Sequence, residues 1–228
     1  MKNIQKAYKP LKVSNNNMLP GDLYRSPDES FFETLMFIDA GFLSKLSKHF
    51  GKGKYLAYDL ITFSKNLARK QKFICKNIFY YTASPFQSYK PTKEEEKKKD
   101  GYDRFLDKLT KQKVIVRQGR VQRLEVDGEF IYKQKAVDVL LAMDLTNVPI
   151  KYPSVKKIIL ISSDSDFVPV IKNLRDNGVK TILYTYYEKM RNTPFSRSNF
   201  LIKSVHKYIL LSKEDFDLSP LKKGVKNE

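Results

Sequence analysis

Cysteine is almost missing from this chain. Cys75 stands alone among 228 residues, so neither a disulfide framework nor a cysteine-based zinc site can be built. Histidine is nearly as scarce, and His49 and His206 alone exclude a histidine-rich metal centre. No apolar run approaches the roughly 18 residues of a membrane-spanning helix. The amino terminus lacks the apolar stretch of a secretion signal, so the expected location is cytoplasmic, with no membrane partner. Acids are in short supply too: 25 Asp and Glu face 43 Lys and Arg, a net charge of +18 with a pI near 9.7. Such a surplus points to a polyanion such as nucleic acid or an anionic surface. The plainer explanation is a merely soluble, lysine-rich protein. Hydrophobic content of 41% is ordinary, so a real core is expected.

The chain reads as three parts. Residues 1–33 are polar, with an Asn15-Asn16-Asn17 tract and no periodic pattern, and form an amino-terminal extension. Residues 34–212 carry the fold, and residues 213–228 make a basic tail. Leu35-Met36-Phe37-Ile38-Asp39 is an apolar strand ending in an acid, and Phe42, Leu43 and Leu46 open a helical stripe. Tyr55–Lys72 continues in helical period, and Phe73–Tyr81 is aromatic and β-branched like a strand. A charged insertion at about 84–103 reads as a solvated helix start or loop, with a helix over Tyr102–Leu109. Alternation over about 113–132, with Asp127-Gly128 between its arms, predicts a hairpin. Lys135–Leu145 has helical period, Ile158–Ile161 suits a strand buried on both faces, and Val168–Asn177 is a helix closed by Gly178. Val179–Tyr184 is a further strand. This alternation predicts a three-layer α/β/α sandwich around a mainly parallel sheet.

Two acids, Asp164 and Asp166, end the run Ile158-Ile159-Leu160-Ile161-Ser162-Ser163. Ligands of open α/β sheets gather at the carboxyl ends of strands. Crowded carboxylates are costly there unless something positive lies between them, and hard oxygen donors favour Mg²⁺ or Mn²⁺. Asp39 ends an earlier strand, and Asp138 interrupts an apolar helix, where a first-turn acid facing the helix dipole is an equal explanation. Asp144 lies about 120° round the helix from Asp138, which suits a solvent-facing or capping acid better than a ligand. Ser162 and Ser163 suit hydroxyls that support the acids or the backbone, with contact to a substrate phosphate as the other reading. No Ser-His or Cys-His arrangement is evident. Metal ions held by carboxylates need little else to activate water against a phosphodiester.

Phe37-Ile38-Asp39, Lys135-Ala136-Val137-Asp138-Val139 with Asp144, and Ser162-Ser163-Asp164-Ser165-Asp166-Phe167-Val168-Pro169 resemble the NYN domain, in the LabA-like branch of the PIN-like nucleases. Gly178-Val179-Lys180, leading into the next strand, fits the same pattern. The likeness implies a PIN-like, Rossmann-like sandwich and metal-dependent ribonuclease activity. It also implies ligation of the metal, expected to be Mg²⁺ or Mn²⁺, by Asp39, Asp138, Asp164 and Asp166; Asp144, Ser162 and Ser163 are candidates for its outer support. Two positions depart from the family's pattern. Phe42 stands where many members carry Asn, and Val205-His206-Lys207-Tyr208 replaces a frequent Ala-Asp pair before an aromatic.

The expected partner is RNA, with DNA as an alternative and a second copy of the chain as a further candidate. Lys135, one helical turn before Asp138, is the first candidate to meet a scissile phosphate. Arg117 and Arg123, an even number of residues apart, can share a strand face. Lys189, Arg191 and Arg197 lie in the loop after Tyr184, where Tyr186 and Tyr187 are candidates to stack on bases. Three readings of function remain open: a metal-dependent endoribonuclease, a catalytically weak or inactive RNA-binding module, and a structure-specific DNA nuclease. A phosphatase with a strand-end nucleophile would want a second Asp where Gly41 stands.

Overall fold

Leu35, Met36, Phe37 and Ile38 are fully buried in β1 (Phe32–Asp39), as an unbroken apolar run at the centre of a parallel sheet must be. The computed structural model describes residues 31–189 and 193–221, so the expected extension (but for its last three residues), Arg191 and the end of the basic tail lie outside the described residues. Within these, the chain runs through α1 (Ala40–Phe50), α2 (Leu60–Arg69), β2 (Phe73–Ala83), α3 (Lys93–Lys111), β3 (Ile115–Val126) and β4 (Glu129–Lys135). It continues through α4 (Val137–Thr146), α5 (Val148–Lys151), β5 (Lys157–Ile161), α6 (Val168–Asp176), β6 (Lys180–Thr185), α7 (Asn199–Ser204), β7 (Lys207–Leu210) and α8 (Lys213–Asp217). No helix among the described residues is long and apolar enough to cross a membrane.

The strands form one sheet in the order β4-β3-β2-β1-β5-β6-β7, parallel throughout except for the β3–β4 hairpin. One face packs on a core built from α1, α2, α3 and α8, with Phe42, Phe63, Leu109 and Phe216 buried in it. The other packs on α4, α6 and α7, through Leu141, Leu145, Ile171 and Leu201. This is the three-layer, PIN-like sandwich. From β1 the chain builds outward on one side to β2 and β3, and β5 starts the other side. The strand order therefore reverses between β1 and β5, where an open α/β sheet leaves a crevice at its carboxyl edge.

The hairpin turns at Asp127 and Gly128, whose φ angles of 53° and 81° are those of the tight turn expected there. Its base depends on Gly119. A Cβ there would lie 2.3 Å from the Lys135 carbonyl oxygen and 2.7 Å from Val137 Cγ2, so only glycine lets the returning arm and the start of α4 pass so close.

Four expectations need correction. The helix expected from Tyr55 begins only at Leu60, capped by Asp59, whose side chain accepts from the Thr62 amide at 2.8 Å. The charged insertion and the Tyr102 helix are one helix, α3, started by a capping box between Thr92 and Glu95. Lys135 does not precede Asp138 on a helix: it ends β4, and Ala136, at φ 67°, breaks the chain before α4. The basic tail is folded at its start, because α8 carries Phe216 into the core.

Candidate active site

Asp39 closes β1 and caps α1 with the same side chain. Its Oδ1 accepts from the Phe42 amide at 3.1 Å and its Oδ2 accepts from Ser162 Oγ at 3.2 Å. The second bond crosses to the neighbouring strand: Ile38 of β1 is aligned with Ile161 of β5, and Ser162 follows at once. Ser162 is fully buried and also accepts the Asp164 amide at 3.1 Å, so one hydroxyl joins the ends of both strands. Asp164 in turn accepts the Asp166 amide at 2.8 Å, which winds Ser165–Phe167 into a short 3₁₀ turn. Asp138 arrives from the far side of the sheet, in the first turn of α4.

The electrostatics tie these groups together. Burial pushes the Asp39 carboxyl above its ordinary value, and the charge of Asp138 adds to the rise, against hydrogen bonds from the Phe42 amide, the Ser162 hydroxyl and the Gly41 amide that lower it. Asp138 is raised first by burial, then by the charges of Asp164 and Asp166. Asp138 is thus within electrostatic reach of Asp39, Asp164 and Asp166, near the crevice where the strand order reverses.

This donor set suits a hard divalent cation in kind. It is all carboxylate oxygen, and its members repel one another in a half-buried place, a cost that a bound cation would relieve. As the side chains stand, no three His, Cys, Asp or Glu among the described residues converge closely enough to hold an ion.

The supporting residues divide. Asp144 is neither solvent-facing nor a cap: its carboxylate accepts from Tyr81 Oη at 2.9 Å and from Arg117 Nε and Nη2 at 2.9 and 3.0 Å, with its side chain only 11% exposed. Arg117 is therefore committed to a bidentate pair that anchors β3 to α4. Arg123 lies elsewhere on the same strand, its guanidinium over the rings of Phe86 and Phe130. Ser163 faces a small crevice with Thr185 and Tyr187. Arg197 sits over Tyr187, and Tyr186 packs against His49, Phe50 and Phe195. Lys135 and Lys189 are exposed. Phe42 buries its ring in the core and offers the site only its amide, and His206 is exposed at the start of β7.

Gln134 escaped the sequence reading. A Cβ on Gly41 would stand 3.2 Å from Asp39 Oδ1 and 3.6 Å from Gln134 Oε1, so Gln134 and Asp39 both border the start of α1. Its only sequence signal is its place at the end of a hairpin arm that must return to the strand edge.

A model of the NYN domain family matches residues 33–211. Among solved structures, a Vibrio parahaemolyticus protein of unknown function is similar at a TM-score of 0.53 and 17% identity, over 84% of this chain and 99% of that one. At that identity the likeness speaks for the fold. No curated protein matches the chain.

Proposed function

Because the chain belongs to the NYN domain family, whose nuclease-related domain spans most of its length, we propose that it is a metal-dependent endoribonuclease. The observation that carries this reading is the gathering of Asp39, Asp138, Asp164 and Asp166 at the carboxyl edge between β1 and β5, in a chain of net charge +18. Carboxylates that crowd in this way, on a protein otherwise suited to a polyanion, fit phosphodiester chemistry better than packing.

Asp39, Asp138, Asp164 and Asp166 would hold Mg²⁺ or Mn²⁺. A divalent ion so held supplies an acidified water and charge compensation at the phosphodiester. The chain's own part is positioning. The Phe42 amide and the Ser162 hydroxyl fix both oxygens of Asp39, and the Asp166 amide fixes Asp164. The Arg117–Asp144 pair ties the last turn of α4, the helix that carries Asp138 in its first turn, to β3. The exposed Lys135, Lys189 and Arg197 carry positive charge for the RNA backbone, as Arg191 would. A non-catalytic RNA-binding module is the second reading, favoured by Phe42, whose side chain lies in the core and gives the site no polar group.

Labelled single-stranded RNA, hairpin RNA and DNA of the same sequence, incubated with Mn²⁺, Mg²⁺ or EDTA, test the proposal. RNA should be cut in either metal and left whole in EDTA. Cutting in EDTA, or cutting of DNA alone, would overturn it.

A further inference from the structure

At the carboxyl end of β2, between the loop before α2 and one face of α3, lies a cavity of about 850 Å³. That is the size of a small-molecule pocket, about 300–1,000 Å³. Its walls are unusually aromatic: Tyr55, Tyr58, Tyr80, Tyr102 and Phe105. Burial raises the phenols of Tyr58 and Tyr80 above their ordinary range, so both stay protonated. Lys98 and Lys108, both exposed on α3, stand at its rim.

None of the four acids lines the cavity, but its wall comes close to Asp39. Tyr80 lines it, hydrogen-bonds Ser44 of α1, and feels the charge of Asp39. Ser44 is five residues beyond Asp39 on the helix that Asp39 caps, roughly 7 Å along the axis at 1.5 Å per residue. Thr82 and Ala83, the last residues of β2, form the adjoining wall, two positions at most beyond the Tyr81 that pairs with Asp39. A chain cut at the acids would bring its neighbouring nucleotide to this opening.

We infer that the cavity receives an unpaired base of single-stranded RNA flanking the scissile phosphate, a step that rests on the ribonuclease reading. Aromatic faces with hydroxyls between them suit a base, which needs a stacking surface and a partner for its polar edge. An alkyl chain would need neither hydroxyls nor lysines. Lys98 and Lys108 match the phosphates on either side of the inserted base. Duplex RNA, with its bases stacked and paired, cannot make this contact.

The test uses the full chain, in EDTA to prevent turnover, with single-stranded RNA carrying 2-aminopurine at successive positions. Emission should be quenched on binding at one position beside the cut. Affinity should fall about tenfold for Tyr55→Ala and for Lys108→Glu. It should hold for Lys156→Glu, the same charge change at the opposite edge of the sheet. Tyr55 is 69% exposed, so its loss does not threaten folding. Unquenched probes at every position, or variants that bind as wild type does, would overturn the inference. Quenching by a wild-type protein that cuts nothing with Mn²⁺ would sink the nuclease reading and leave the cavity's role standing. Cutting without quenching would do the reverse.

Discussion

Asp138 is exposed at the surface, yet partial desolvation and the charges of Asp164 and Asp166 raise its carboxyl, and that arrangement weakens the fold it belongs to. A carboxyl whose pKa is raised on folding costs stability only where the unfolded chain would already be ionised. Asp138→Asn should therefore raise the melting temperature at pH 7 in EDTA. The gain should fade as pH falls and vanish below about pH 4, where the wild-type group is protonated folded or unfolded. The same variant should lose metal-dependent cleavage. Thermal denaturation at the two pH values checks the first part. An Asp138→Asn protein less stable than wild type at pH 7 would show that the acid earns its place by packing or pairing. Phe42 illustrates the opposite economy, since its backbone serves Asp39 while its ring serves the core.

At the scale of elements, the hairpin and the last turn of α4 brace the helix that carries Asp138. The Arg117–Asp144 pair is half-exposed at the guanidinium and nearly enclosed at the carboxylate. Arg117→Ala should cost about 1–3 kcal/mol in urea unfolding, because Asp144 keeps only the Tyr81 hydroxyl. A change within experimental error would mean that the hairpin is held by Gly119 and Val137 alone. This is also where sequence reasoning reached its limit. Asp39, Asp164 and Asp166 were legible because each ends an apolar run, and a run of that kind fixes both a strand and its direction. Lys135 was misread because α4 starts without a side-chain cap, so the period of Val137, Leu140 and Leu141 extends backwards unmarked. Asp144 was misread because its partner lies 27 residues away on another element, and Gln134 because its approach to the start of α1 is purely tertiary. The loop from Tyr55 mimics a helix's period because Leu56 and Tyr58 pack against the core, and only Asp59 marks the boundary.

For the molecule as a whole, the surplus of cations and the cluster of acids belong to one design. A net charge of +18 draws a polyanion in, and a local patch of carboxylates would hold the ions that act on it. Binding of single-stranded RNA in EDTA should weaken about tenfold or more between 50 and 200 mM salt. A flat response would mean that the basic surface serves solubility alone. The sheet order sets the rest, because the reversal between β1 and β5 puts Asp39 and Asp164 on either side of one crevice. The most direct measurement is cleavage of single-stranded RNA with Mn²⁺ by wild type and by Asp164→Asn, with RNA binding followed in parallel. Wild type should cut, and the variant should bind without cutting. Equal cutting by both, or binding without cutting by both, would contradict it.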